Sequence, residues 1–302
     1  MHLLSPKGFL AGAVHAGIKS TKKNDVGLLI CDAPQLATAA AVFTTNKVFA
    51  APVKIGREHL RESSGRLRGV IVNSGNANAC TGAQGDRDAR RMCALTAAQL
   101  GCDPKQILPC STGIIGHLMP MQKIERGIIG AASKLGSSDE HARQFSDAIL
   151  TTDTKRKSAA SRFKIGRETV TIAGVCKGSG MIGPRMSLGT SLHATMLAFL
   201  TTDAAVPAAF LRRLFAHAVN ESFNAVTVDD HTSTNDTAVI LSSGMSSAIV
   251  RGTRDAEKFS VALHEVCLSL ANQIAADGEG ATKVVRIEVR RARNERDAKT
   301  IA

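Results

Sequence analysis

Short apolar runs set the tightest limit on how this chain folds. Val26-Gly-Leu-Leu-Ile-Cys31 stands between Asp25 and Asp32, and Gly69-Val-Ile-Val72 and residues 169–175, 196–200 and 237–241 have the same character. Runs this short, with turn residues between them, suit buried strands. Residues 8–55 read as a series of such strands, with Val42-Phe-Thr-Thr45 and Val48-Phe-Ala-Ala-Pro-Val53 among them. Asn73-Ser-Gly-Asn-Ala-Asn-Ala79 is polar and small, so it reads as a loop.

Longer segments carry the helical period. Residues 86–100 put Ala89, Met92, Cys93, Thr96 and Leu100 on one face, and Gly101 and Pro104 stop them. Residues 120–135 start on a proline and carry Met121, Ile124, Ile128 and Leu135 on one side. Residues 140–150, 207–220 and 255–276 are also predicted helical. The last turns Phe259, Leu263, Val266, Leu270 and Ile274 inward. Val285, Ile287 and Val289 alternate with Arg286, Glu288 and Arg290, the pattern of a half-exposed strand. Strands and helices are intermixed, which predicts an α+β or α/β fold with two layers of each.

Composition narrows the function. The chain has 302 residues, enough for about two domains of roughly 100–200 residues. Its net charge is +12. It has no Trp and no Tyr, whereas single-strand nucleic-acid binders rely on aromatic platforms. An attraction for anionic substrates such as carboxylates is the simpler reading. No apolar run approaches the roughly 18 residues of a membrane span, and no signal pattern opens the chain. A cytoplasmic protein without nucleic-acid or membrane partners is expected. The seven cysteines lack Cys-x-x-Cys spacing, so reduced thiols and no metal are expected. Asp229, Asp230 and His231 read as a polar turn.

The chemistry concentrates after a glycine-rich turn that holds a lysine, Lys177-Gly-Ser-Gly-Met-Ile182. Further on, Ala194-Thr195 precedes an apolar run. A threonine hydroxyl needs a base beside it, and an α-amine freed by cutting before that threonine can be one. Such an amine titrates near pH 7.7–8, close to working pH. Thr112 and Gly113, in Ser111-Thr-Gly-Ile-Ile-Gly116, offer a hydroxyl and a backbone N–H at a glycine turn, the donors that a developing oxyanion needs.

These residues resemble the ornithine acetyltransferase (glutamate N-acetyltransferase) family of arginine biosynthesis. The similarity runs in order along almost the whole chain. It starts at Gly8-Phe9, Gly17-Ile-Lys19, Val42-Phe-Thr-Thr-Asn46 and Ala50-Ala-Pro-Val53, and passes through residues 72–79 and 111–116. Thr151-Thr-Asp-Thr154, residues 177–182 and Ala194-Thr-Met-Leu-Ala-Phe-Leu-Thr-Thr-Asp203 follow. Phe223-Asn224, Val228-Asp229, Ser233-Thr-Asn-Asp-Thr237 and Asp277-Gly-Glu-Gly-Ala-Thr-Lys283 complete it.

The resemblance implies a four-layer α/β/β/α sandwich and a self-processing acyltransferase. It implies an α piece, residues 1–194, and a β piece, residues 195–302, cut apart between Ala194 and Thr195. Thr195 would then carry acetyl from N-acetylornithine to glutamate in ping-pong fashion. Thr112 and Gly113 would form the oxyanion hole. Lys177, Glu279, Thr195 and Thr151 would bind substrate, with Thr152 as the alternative to Thr151. No cofactor is implied, and acetyl-CoA is left open as a co-substrate. The pieces would assemble, as a heterotetramer.

Two departures bear on activity. Ser187-Leu-Gly-Thr-Ser-Leu-His193 is inserted where the family runs almost directly to its threonine, so strain at the bond to be cut is left open. The family also continues past the position of Ala302, so the β piece is expected to be truncated. An uncut or inactive relative, or an N-terminal-threonine amidase or peptidase, is therefore the alternative.

Overall fold

Two β-sheets lie face to face with most helices outside them, while α4 (Asp139–Ile149) packs Phe145 and Ile149 into the core between the sheets. The computed structural model describes residues 1–183, 186, 196–231 and 233–301. The first sheet contains β1 (Phe9–Val14), β2 (Val26–Cys31), β5 (Gly69–Asn76) and β6 (Ile107–Ile114), in that order across the sheet. β1, β2 and β5 are antiparallel neighbours, and β6 runs parallel to β5. The second sheet has the order β4 (Arg66–Leu67), β3 (Ala37–Phe43), β10 (Thr237–Ser242), β9 (Leu197–Thr202), β8 (Glu168–Lys177), β7 (Lys157–Ile165). β9 and β10 are parallel, and the other neighbours are antiparallel.

The two-residue period of each strand sorts its side chains between layers. On β2, Leu29 and Cys31 face the space between the sheets. Val26, Leu28 and Ile30 face α2 (Gly82–Leu100) and α3 (Met121–Ala132). On β10, Val239 and Leu241 point between the sheets, while Ala238 and Ile240 meet α5 (Ala208–Asn220) and α6 (Gly252–Ala276). The same split holds on β9, with Leu197 and Phe199 inside and Ala198 and Leu200 outside. This is the expected α/β/β/α order. On α6, Phe259, Leu263, Val266, Leu270 and Ile274 are all buried, as their spacing predicts.

Three expectations change. Residues 48–53 are not a strand. Ala51 opens α1 (Ala51–Glu62), and Pro52 sits in its first turn, where a missing N–H costs nothing. Residues 73–76 are not loop but the end of β5. Their polar side chains are tolerated there because each finds a partner. Asn73 Nδ2 donates to Asn76 O at 2.9 Å, and Ser74 Oγ donates to Ala148 O at 2.5 Å. Residues 284–290 form no strand. No neighbouring strand among the described residues pairs with them, and Val285 and Ile287 are exposed. β7 was not foreseen either, since its exposed, basic face hides the strand period.

Candidate active site

One of the two segments of interest is not the glycine turn that the sequence suggests, but the end of β6, where Thr112 and Gly113 still pair with β5. Asn73, Ser74 and Gly75 lie opposite Ser111, Thr112 and Gly113, and a bulge follows at Asn76. Thr112 is buried and Gly113 exposed. Gly113 has φ +131°, and a Cβ there would lie 2.4 Å from Gly75 C, so a side chain has no room. Ser111 Oγ donates to Asn73 Oδ1 at 2.6 Å. Ala77 N donates to Ile114 O at 2.9 Å.

The second segment is a turn that leaves β8 in the other sheet. Lys177 closes that strand and is only 2% exposed, so it is not a solvated lysine in a mobile turn. Its Nζ lies 3.9 Å from Asp153 Oδ2. Asp153 also accepts from Lys157 Nζ at 2.7 Å, from Gly178 N at 2.7 Å and from Thr151 N at 3.1 Å. Lys157 donates to Asp277 as well, and Asp277 accepts from the N–H and hydroxyl of Thr154. Ser179 Oγ donates to Asp277 O at 2.7 Å, and Glu279 N donates to Ser179 O at 2.8 Å. Two buried lysines and two carboxylates thus tie residues 151–154 and the end of α6 to the Lys177 turn. Asp229 fastens the far side of that turn, accepting from Met181 N at 2.6 Å and Ile182 N at 2.8 Å.

Burial and charge set the protonation of these groups. Burial works to raise the Asp153 carboxyl, but Lys177, Lys157 and the Gly178 N–H outweigh it and hold it below the usual carboxylate range. Asp277 is lowered in the same way, burial being outweighed by Lys157 and Thr154. Burial lowers Lys157, yet Asp153 and Asp277 keep it above the ordinary lysine value. Burial pulls Lys177 below that value, against Asp153 and with the help of Lys157's charge.

Glu279 is exposed, and its carboxylate lies over Gly180, where a Cβ would come within 2.2 Å of Oε2. It lines a cavity of about 340 Å³ with Thr152, Thr154, Lys155, Ser179 and Asp277. Thr152 faces this cavity, whereas the backbone N–H of Thr151 is engaged by Asp153. Ala194 and Thr195 lie outside the described residues, as do Thr190 and His193. Met196 is described, is buried, and directly precedes β9.

The two segments meet through residues 233–237. Asn235 Nδ2 donates to Ala77 O at 2.6 Å and to Ser111 O at 2.8 Å. The next residue, Asp236, is fully buried and accepts from Met196 N. Lys177 stands opposite Leu197 in the β8–β9 register, and its charge is felt at Asp236. Thr112, Gly113, Lys177 and the entry to β9 therefore surround one junction. Sequence reasoning missed Asp153, Lys157 and Asp236 as members of the site. The signal available in Asp153 and Lys157 was their opposite charge four residues apart.

The model of the ArgJ family matches residues 10–302. The arginine biosynthesis bifunctional protein ArgJ of Geobacter sulfurreducens is 48% identical over 301 residues, which span 99% of this chain and 73% of that protein. The chain belongs to the ArgJ family. The ArgJ of Lactococcus lactis is 46% identical, over 99% of this chain and 72% of that one. The crystal structure of the Bacillus halodurans ArgJ superposes with a TM-score of 0.59 at 42% identity, on 62% of this chain and 95% of that chain. Ornithine acetyltransferase from Mycobacterium tuberculosis, solved with ornithine, gives 0.55 at 33% identity, on 62% of this chain and 96% of that one. The aminopeptidase of Ochrobactrum anthropi, a variant of the Ntn hydrolase fold, gives 0.51 at 10% identity, a likeness of fold alone. ArgJ membership makes this chain an acyltransferase of arginine biosynthesis, the family and class that its motifs imply. Among the described residues no helix is long and apolar enough to cross a membrane.

Proposed function

We propose that the chain is a glutamate N-acetyltransferase that first cuts itself between Ala194 and Thr195. Thr195 then attacks N-acetylornithine, with its own α-amine taking the hydroxyl proton. Thr112 Oγ1 and the Gly113 N–H stabilise the oxyanion. Ornithine leaves, and glutamate collects the acetyl group from Thr195 in the second half of a ping-pong cycle. Lys177 meets the substrate carboxylate and Glu279 its ammonium. Thr151 or Thr152 completes the grip. Acetyl-CoA is left open as a further acetyl donor to glutamate. The two pieces, 1–194 and 195–302, stay associated, as a heterotetramer in the cytoplasm.

One observation carries this reading: Asn235 and Asp236 join the Thr112–Gly113 segment to the residue after Thr195, with Lys177 beside them. Thr112, Gly113, Lys177 and Met196, the residue after the proposed nucleophile, thus lie around one junction, which supports the reading. A further support is length. The solved Bacillus halodurans chain is matched over 95% of its extent by 62% of this one. A chain of that size is close to the 194 residues ahead of the proposed cut.

N-terminal sequencing of the smaller fragment tests the cut, with Thr-Met-Leu-Ala as the expected start. Incubation with N-acetylornithine and glutamate tests the transfer. Acetylglutamate is the expected product. Free acetate alone would assign the chain to hydrolysis, and a chain that stays whole at 31.7 kDa would remove the proposed nucleophile altogether.

A further inference from the structure

The segment Ser233-Thr-Asn-Asp-Thr237 joins the two halves of the site, yet the chemistry above gives its carboxylate nothing to do. Asp236 is fully buried. Its Oδ1 accepts from Met196 N, and its backbone O accepts from Thr44 N at 2.7 Å. Among the described residues its Oδ2 has no hydrogen-bond partner. Buried polar atoms are almost always paired, and leaving one unpaired costs stability. An oxygen left in that state beside the start of β9 can receive a further donor.

We propose that Asp236 is the positioning residue and counter-ion for the α-amine released at residue 195. This rests on the self-cutting reading above. The argument is covalent. Consecutive residues are about 3.8 Å apart along the chain. A carboxyl that holds Met196 N is therefore separated from the preceding backbone nitrogen by no more than that hydrogen bond and about one residue's length of chain. In the uncut chain that nitrogen is an amide and cannot neutralise a carboxylate. After the cut it is an amine. One proton then passes from the carboxyl oxygen to the amine nitrogen, leaving a carboxylate and an ammonium, with no other bond made or broken.

The surroundings agree. Among the described residues, Lys177 faces Asp236 from β8 with Asp153 behind it, and the Ser233 hydroxyl and the Met196 N–H are its polar neighbours. Burial holds the Asp236 carboxyl well above the usual range, against the Met196 N–H, Lys177 and Ser233. Asp153, Asp229 and Asp277 are shifted the other way. Asp236 thus waits with its proton on until a cation is made next to it. Once formed, the pair titrates as a unit. The carboxylate raises the amine's affinity for its proton and keeps the nitrogen turned to the site.

Asp236→Asn tests this, since it keeps an oxygen for Met196 N and removes the charge. The variant is expected to be cut and to transfer acetyl, with the acid limb of its kcat/KM profile moved to lower pH by about one unit. A purely structural role would lower the rate without moving the limb. A limb that stays in place overturns the proposal, as does a soluble variant that is no longer cut.

A second measurement does not depend on that variant folding. Infrared spectra of protein carrying labelled aspartate compare the uncut Thr195→Ala chain with the processed chain. A protonated aspartate carboxyl is expected in the first and not in the second, and its persistence after processing overturns the proposal. An unaltered chain that is never cut sinks the underlying reading and this one with it. A cut chain whose acid limb ignores Asp236→Asn sinks this one alone.

Discussion

The two segments of this site are built from opposite materials. The strand end at Thr112–Gly113 is neutral. Its buried partners are amides and hydroxyls, Asn73, Ser111 and Asn235, and a glycine that admits no side chain. The turn at Lys177 is ionic, held by Asp153, Lys157 and Asp277 with scarcely any exposure to water. The difference fits the tasks proposed for the two segments. An oxyanion hole works through donors fixed at the right spot, and neutral hydrogen bonds hold position at any pH. An anion-binding lysine works through charge. The chain must keep that charge in a buried place without letting one aspartate cancel it, and Lys157 does this by sharing Asp153 and taking up Asp277.

The ionic half should break hardest. Lys157→Met leaves Asp277 without its cation and Asp153 with Lys177 alone, and breaking a buried pair costs about 3–5 kcal/mol. The pH dependence then changes sign. In the unaltered chain Asp153 and Asp277 titrate below the ordinary aspartate value, so their contribution is present above about pH 4 and is lost as pH falls through the folded values. Lys157 titrates above its ordinary value, so its contribution is full below about pH 10.4 and is lost as pH rises through the raised one. Without Lys157 the carboxylates prefer their protons. The gap between variant and parent should therefore narrow on acidification from pH 7 to 5, as read by urea unfolding at each pH. A gap that widens would show that Lys157 is not their counter-ion.

The neutral half should lose rate without losing stability. Thr112→Ala removes one oxyanion donor, for which about 2.7–4 kcal/mol of barrier is expected, or roughly 100–1,000-fold in kcat. KM should change little, the loss should be the same across pH, and Thr112→Ser should restore most of it. Equal losses in Ala and Ser would mean that the hydroxyl is not a donor. Asn235→Ala, at the junction, strips a partner from both Ala77 O and Ser111 O and should cost about 1–3 kcal/mol of stability. It should lower transfer as well, because it frees one segment from the other. Stability lost with full activity would show that the segments are held together elsewhere.

How far each half could be read from the chain follows the same divide. Thr112 and Gly113 stood out in the sequence as a hydroxyl beside a glycine, but their place inside β6 did not. Lys177 was legible as part of a motif, but its burial was not, since nothing local distinguishes it from a solvated lysine. Asp153 and Asp277 are 124 positions apart and meet only when the end of α6 folds onto β7 and β8. The fold divides likewise. Runs covered on both faces, such as β2 and β10, declare themselves through their apolar content. β7, with one face in water, and the end of β5, whose polar side chains are satisfied by distant partners, do not. The helix α1 was hidden by Ala-Ala-Pro-Val, which suits a strand end and a helix start equally well.

Lys19 is the smallest lever on this comparison and the most pointed, because it touches both halves. Its stem lies against Gly75, opposite Gly113, and its Nζ donates to Leu150 O at 2.8 Å and Asp147 O at 3.3 Å, just ahead of residues 151–154. Burial lowers its pKa to about 8, with Asp25 opposing. A lysine lowered by the fold binds its proton less well folded than unfolded. Between about pH 8 and its ordinary value near 10.4 the unfolded chain holds more protons, and stability gains with rising pH. Lys157 begins to act against this only above that window. The unaltered chain should therefore grow more stable relative to Lys19→Met between pH 7.5 and 10, by less than any effect above, in unfolding curves taken at matched ionic strength. A difference that is flat in pH would mean that the ammonium is solvated and only the stem of Lys19 bridges the two segments.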